Sequence, residues 1–385
     1  MGQKIAEGQA FISANIHSSV SGTVKSIEPR LTATGMKVNA IVVENDGLYE
    51  SVEIEPQTKS IDELEASEIR TLVKEAGVVG MGGAGFPTHV KLSPKNEGDI
   101  DTIIVNGAEC EPYLTSDYRR MLEETDKLID GLKIVLRIFP KAKGHIAIED
   151  NKPDAIKLLR ERTQGEDRIV VDALKTKYPQ GGERCLIYAV AKRKINSSML
   201  PADAGCIVHN IDTIVSIYNA VMEKRPLTKR IVTVTGDAVK NPRNFLVYVG
   251  TPYTEIAEAA GGFISEPEKM ISGGPMMGFA MYSLNVPVTK NTSSLLAFTH
   301  DTVKDKVESP CIRCGRCGEV CPENLLPAKL STLARRGAMD AFVESFGMEC
   351  VECGCCSYIC PAKRQLTQSI KAMRKMVMAE RRKKK

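Results

Sequence analysis

A chain of 385 residues is too long for one ordinary core, and two to four domains are expected. Its apolar (43%) and charged (26%) fractions are those of a globular protein, and a formal charge of +4 is too small to mark a nucleic-acid binder. Nine of the twelve cysteines crowd between residues 311 and 360, the start Met1-Gly2-Gln3-Lys4-Ile5 is no signal peptide, and no run of 18 apolar residues exists. A secreted disulfide scaffold and a membrane-spanning helix are thereby set aside, and a reducing cytosolic setting fits.

Residues 1–58 alternate apolar and polar residues and are broken by glycine, so Ser19-Val20-Ser21-Gly22-Thr23-Val24 and Ile41-Val42-Val43-Glu44 predict short strands. The stretch resembles half of a lipoyl- or biotinyl-type barrel sandwich. No carrier lysine stands in a tight hairpin, so the module is read as structural, with an N-terminal piece of it expected ahead of Met1.

Residues 59–228 alternate helical and strand patterns. Leu64, Ile69, Leu72 and Val73 place a helix over 61–76 that Gly77 ends. Strands are expected at 102–106, 145–148 and 169–171. Helices are expected at 116–138, 153–163, 183–193 and 211–222. The alternation predicts an α/β layer structure. Residues 229–300 read as two strands (230–236 and 244–250) and a helix (253–259). This stretch resembles a small soluble-ligand-binding β-grasp module, taken here as scaffold rather than ligand site. Residues 301–371 hold the cysteine runs. Residues 372–385 form a basic tail whose end, Arg381-Arg382-Lys383-Lys384-Lys385, is expected to fray into solvent.

The two cysteine runs share one spacing. Cys311-x-x-Cys314-x-x-Cys317-x-x-x-Cys321-Pro322 is followed by Cys350-x-x-Cys353-x-x-Cys356-x-x-x-Cys360-Pro361. Soft thiolates at i, i+3 and i+6 wrap three corners of an iron–sulfur cube, and the pattern is similar to that of bacterial two-cluster ferredoxins, in which the fourth cysteine of each run crosses to the other cluster. Cys311, Cys314, Cys317 and Cys360 are therefore expected to hold one 4Fe–4S cluster, and Cys350, Cys353, Cys356 and Cys321 the other. Zinc is the competing metal, but eight cysteines in this arrangement favour iron–sulfur. Each oxidised cluster with its thiolates carries roughly −2, which brings the whole near neutrality. Cys355 fits no ligand slot and is read as a spare buried thiol; Cys110, Cys185 and Cys206 are read as structural.

Residues 77–91 form a glycine loop, with Gly80, Gly82 and Gly85 matching G-x-G-x-x-G. A dinucleotide fold would place a strand before it and a helix after it. Here a helix precedes it and Phe86-Pro87 follows, so that fold is not expected. Its glycines still let backbone N–H groups approach a phosphate, with Lys91 supplying positive charge.

The loop, followed in order by Val105-Asn106-Gly107-Ala108-Glu109-Cys110-Glu111-Pro112, Tyr178-Pro179-Gln180-Gly181-Gly182-Glu183 and Val208-His209-Asn210-Ile211-Asp212-Thr213, resembles the flavin subunit of respiratory NADH dehydrogenases. Met81, Gly182 and His209 stand where that family carries arginine, glutamate and asparagine. The twin cluster runs and the barrel-sandwich half make the chain as a whole resemble the RnfC family. That resemblance implies FMN, with Gly80, Gly82, Gly83 and Lys91 about its phosphate and ribityl chain. It places Asn106, Glu109, Asn210 and Thr213 along the rest of the pocket, Phe86 near the nicotinamide, and Glu111 and Glu183 beside NADH.

The fold expected is thus an α/β flavin/NADH-binding domain with a partial β barrel-sandwich module, a β-grasp module and an α-helical two-cluster ferredoxin-like domain. The function implied is that of a peripheral, cytoplasmic electron-input subunit of an ion-translocating complex of the bacterial cell membrane, moving a hydride from NADH to FMN and single electrons to the clusters, in either direction. Its partners would be the membrane and iron–sulfur subunits of an Rnf-type complex, with ferredoxin indirectly; no catalytic residue beyond the cofactors is expected. Two rivals share these features: a cobalamin reductase, and an electron-relay or assembly subunit with a dead flavin site.

Overall fold

The computed structural model describes residues 1–383, and the chain divides into two compact units. The first holds Met1–Ile195, Leu200–Gly274 and Gly278–Thr299; the second holds Asn196–Met199, Pro275–Met277 and the chain from His300.

The first unit opens with two antiparallel pairs: β1 (Lys4–Ala6) with β2 (Ile16–His17), and β3 (Gly22–Leu31) with β4 (Lys37–Asn45). The longer hairpin closes through Thr32, whose N–H donates to the Met36 carbonyl. Val24, Ile27 and Val38 on it remain exposed. This is the half barrel sandwich, and these three apolar side chains are left uncovered by the described residues.

The α/β layer follows. A short 3-10 turn (Ile61–Glu63) precedes α1 (Ala66–Glu75). The expected helix over 61–76 is thus split, because Glu63 bonds back to the N–H and hydroxyl of Ser60 and Leu64 is extended. After the glycine loop come α2 (Thr88–Lys91), β5 (Thr102–Gly107), α3 (Ser116–Glu123), α4 (Thr125–Ile138), β6 (Lys143–Glu149), α5 (Pro153–Arg162), β7 (Ile169–Leu174), α6 (Glu183–Ala191), β8 (Cys206–Asn210) and α7 (Ile211–Val221). The expected single helix over 116–138 breaks at Glu124 (φ −126°, ψ 37°). There the Thr125 hydroxyl takes the Met121 carbonyl, and the Glu124 carboxylate pairs with buried Arg120 at 2.6 Å. Amphipathic spacing runs unbroken through such a joint and does not reveal it.

The four strands form a parallel sheet in the order β7-β6-β5-β8. Ile103, Ile104 and Val105 of β5 are fully buried, which is why that strand reads as a continuous apolar run. Ile103 and Val105 pack with α1, α4 and α7, while Ile104 packs with α6 on the other face. The chain builds outward from β5 to β6 and β7, then returns to place β8 on β5's free side. A crevice for ligands opens where such an order reverses, at the carboxyl ends of the strands. Here it lies between Asn106 and Asn210, which face each other in register.

The β-grasp part comprises β9 (Lys229–Thr235), β10 (Arg243–Tyr248), α8 (Tyr253–Ala259), β11 (Lys269–Ser272), β12 (Phe279–Met281) and β13 (Ser294–Phe298), in the sheet order β10-β9-β13-β11-β12. Its helix buries Tyr253 and Ile256 in one core with Val232, Val234 and Leu295.

The second unit is helical: α9 (Arg316–Glu319), α10 (Pro327–Arg335), α11 (Met339–Glu344), α12 (Cys355–Ile359) and α13 (Leu366–Lys383). Leu330, Phe342, Ile370, Met373 and Val377 form its core. The boundary expected between residues 371 and 372 falls inside α13. Ile370, Met373 and Val377 at helical spacing carry that helix onto the core, so the basic run is helical as far as Lys383. Lys384 and Lys385 lie outside the described residues. Among the described residues, no helix is long and apolar enough to cross a membrane.

Candidate cofactor sites

The glycine loop is pinned at its neck. Gly80 N–H donates to the Phe86 carbonyl at 2.7 Å, and Thr88 N–H to the Val78 carbonyl. Met81 is buried beside Val79 and Leu227, and its N–H donates to the Thr213 hydroxyl at 3.0 Å. Apolar packing thus fills the place where the dehydrogenase family carries arginine. Gly82 (φ +77°) lies against Asn210, so that a Cβ there would stand 3.0 Å from its Nδ2. Gly83 is different: a Cβ would meet nothing within 4 Å. Gly83 is exposed, so its face of the loop stands in open space.

Asn210 organises the pocket side of the crevice. It caps α7 by accepting from Asp212 N–H at 2.9 Å, and its Nδ2 donates to Asp117 at 2.6 Å. Asn106, opposite, donates to the Gly181 carbonyl at 2.9 Å. This brings the Tyr178–Glu183 loop to the crevice. Lys91 donates to the Val208 carbonyl (3.0 Å) and reaches Glu183 at 3.4 Å. Phe86 is 37% exposed.

Two acidic residues have other partners. Glu109 accepts from the Asp117 and Tyr118 N–H groups at the start of α3, so it reaches the pocket only through Asp117. Burial, then the Asp117 charge, push its carboxyl up, and burial pushes Asp117 up against the pull of Asn210. Glu111 packs against Gly274, where an added Cβ would meet its carboxylate.

Several residues at the site carried no signal in the sequence. Asn291, from the segment before β13, donates to the Gly83 carbonyl at 3.3 Å. Its neighbour Lys290 donates to the Asn15 and Gly77 carbonyls, and burial pulls its ammonium down to about 8. One turn thus ties the N-terminal module to the start and the middle of the glycine loop. Two buried polar atoms beside the crevice, His209 Nε2 and Gln180 Oε1, have no hydrogen-bond partner among the described residues. With the open space at Gly83, they mark a site whose polar groups suit a further molecule. Burial, and then Lys91, hold the His209 imidazole down to about 3.

The second unit contains two cysteine-lined cavities. One is bounded by Cys321, Cys350, Cys353, Cys355 and Cys356, the other by Cys311, Cys314, Cys317 and Cys360. The fourth cysteine of each run lines the cavity of the other run. The two runs also share their backbone: Arg313 and Glu352, Gly315 and Gly354, and Asn324 and Lys363 all have positive φ, at matching places in each repeat. Two of the first cavity's sulfurs accept backbone hydrogen bonds, Cys321 from Leu325 N–H and Cys350 from Glu352 N–H, and Cys356 shares a hydrogen bond with the Thr367 hydroxyl at 3.3 Å. In the other cavity Cys311 and Cys314 are exposed. All-thiol donor sets spread around a cavity suit an iron–sulfur cluster. Cys355, expected as a spare buried thiol, is half-buried and lines the first cavity.

Comparison with known proteins agrees along the chain. Family models match in order: the RnfC barrel sandwich hybrid domain over residues 1–48, the Nuo51 FMN-binding domain over 73–219, the SLBB domain over 231–280 and the 4Fe–4S dicluster domain over 310–363. The C subunit of the proton-translocating ferredoxin:NAD(+) oxidoreductase complex of Clostridium ljungdahlii is 45% identical over 347 residues, 90% of this chain and 76% of that one. Its counterpart in the Na(+)-translocating ferredoxin:NAD(+) oxidoreductase complex of Acetobacterium woodii is 43% identical over 386 residues, 100% of this chain and 86% of that one. The counterpart in the ion-translocating oxidoreductase complex of Rhodobacter capsulatus is 38% identical over 88% of this chain and 66% of its own length. Among solved structures, the H2-reduced NAD+-reducing [NiFe]-hydrogenase shares the fold: TM-score 0.57 at 17% identity, over 82% of this chain and 65% of that one.

Proposed function

The chain belongs to the RnfC family, the C subunits of ion-translocating ferredoxin:NAD(+) oxidoreductase complexes, and on that premise we propose that it is the complex's electron-input subunit, exchanging electrons between NAD(H) and two 4Fe–4S clusters through FMN. The observation that most supports this is the crevice at the β5–β8 switch point, where Asn106 and Asn210 stand in register and Gly82 of the glycine loop lies against Asn210.

FMN would supply the step between two-electron and one-electron chemistry. The chain's own residues bind and orient. Backbone N–H groups at Gly82 and Gly83 would take the phosphate, Lys91 would add charge, and Gly80, whose own N–H is spent on the Phe86 carbonyl, would hold the loop's neck beside it. Asn106, Asn210 and Thr213 would fix the rest of the pocket, with Glu109 acting through α3. Phe86, Glu111 and Glu183 would face the nicotinamide nucleotide. Cys311, Cys314, Cys317 and Cys360 would hold one cluster; Cys321, Cys350, Cys353 and Cys356 would hold the other. The relatives' naming as subunits of translocating complexes supports a place in such a complex; on our reading its partners there are membrane and iron–sulfur subunits and its position is peripheral, on the cytoplasmic face. The corrinoid-reductase reading loses its ground, because relatives matched over 88–100% of this chain bear ferredoxin:NAD(+) oxidoreductase or ion-translocating oxidoreductase names.

The test is Gly83→Ala. The new methyl meets no atom of the chain, so the thermal midpoint should hold while FMN content after reconstitution falls at least tenfold. Full FMN content in that variant would remove the loop from the site.

A further inference from the structure

The second cysteine run contains a thiol that a four-ligand site does not use. Cys355 is the first residue of α12, between Cys353 and Cys356. The place it occupies in its repeat is held by Arg316 in the first run, five residues after the opening cysteine in both. Both loops keep the same positive-φ turns at Arg313 and Gly315 and at Glu352 and Gly354. The backbone that wraps a cluster therefore closes without a cysteine at this place.

The side chain is nevertheless at the cavity. Five thiols, Cys321, Cys350, Cys353, Cys355 and Cys356, bound it, against four in its sister. Cys355 is half-buried, and its thiol shares a hydrogen bond with that of Cys353. Cys356 and Cys321, by contrast, are engaged with Thr367 and with Leu325 N–H. Of the expected ligands, Cys353 is the one that shares this hydrogen bond with Cys355.

Resting on the reading that this cavity holds a 4Fe–4S cluster, we propose that Cys355 is a reserve ligand for the iron held by Cys353. Were Cys353 to leave, an S–Fe bond to Cys355 would replace the S–Fe bond to Cys353, the Cys355 thiol proton passing to the departing Cys353 sulfur. No electron moves and no co-reactant is needed. The cluster keeps four thiolates and therefore keeps its iron.

The experiment counts iron and acid-labile sulfide in the full chain after anaerobic reconstitution, with EPR both before and after dithionite reduction. Wild type should hold about eight irons, four for each cluster. Cys353→Ser and Cys355→Ser singly should each keep about eight; the double variant and the control Cys350→Ser should each keep about four. Iron retained in the Cys311 cavity shows that the double variant still folds. A fall to about four irons, or a three-iron EPR signal, in Cys353→Ser alone overturns the proposal. So does a loss of iron in Cys355→Ser alone, which would make Cys355 a resident ligand. Wild-type protein that never exceeds four irons would instead sink the two-cluster reading beneath it.

Discussion

His209 and Asn210 are neighbours on β8 with opposite assignments. Asn210 spends its amide on Asp117 and its oxygen on the start of α7, and it lies under Gly82. His209 is buried with Nε2 unpaired, and burial keeps its imidazole neutral with a pKa near 3, far below the ordinary 6.5. Above pH 6.5 it is neutral whether the chain is folded or not, so it adds no pH dependence. Below 6.5 the unfolded chain takes up a proton that the folded chain refuses, and stability falls by up to about 1.4 kcal/mol per pH unit until pH 3. His209→Asn removes that proton site with a residue type the dehydrogenase family carries there. Between pH 7.5 and 5, the thermal midpoint of wild type should therefore drop further than that of His209→Asn, with about 2 kcal/mol separating them at pH 5. Parallel midpoints across this range would show that His209 is protonated in the fold.

At the scale of elements, what is legible in the sequence is whatever the chain repeats or punctuates. The twin cysteine runs, Gly77 at the end of α1, and the strand–helix alternation all announce themselves, because spacing and backbone freedom are local. The break at Glu124 and the turn carrying Lys290 and Asn291 do not. Asn291 reaches Gly83 across 208 residues, and no periodicity encodes such a reach. Glu109 stands out in the sequence, but its role does not, since a carboxylate capping a helix and one lining a pocket look alike there. The crossing of the fourth cysteines predicts an iron count that parallel ligation does not. Cys314→Ala should leave about four of eight irons, and adding Cys360→Ala should leave the same four, because both mutations empty one cavity. Uncrossed ligation would take the double variant to none.

The whole molecule joins a chemistry of electron pairs to one of single electrons. The flavin site lies in the first unit and the cluster cavities in the second. NADH delivers two electrons as a hydride and a cluster accepts one, so neither can serve the other without a flavin between them. The dead-flavin alternative keeps the clusters and loses this junction, which makes the junction the place to test. In anaerobic EPR, NADH should raise a reduced-cluster signal in FMN-loaded wild type and none in flavin-free Gly83→Ala, while dithionite should raise an equal signal in both. The dithionite arm matters because it shows that the variant's clusters are intact and that only their supply has been cut. Equal NADH-driven reduction with and without flavin would mean that electrons enter by a route other than the glycine loop. No NADH-driven signal even in loaded wild type would leave the chain a relay fed by its partners.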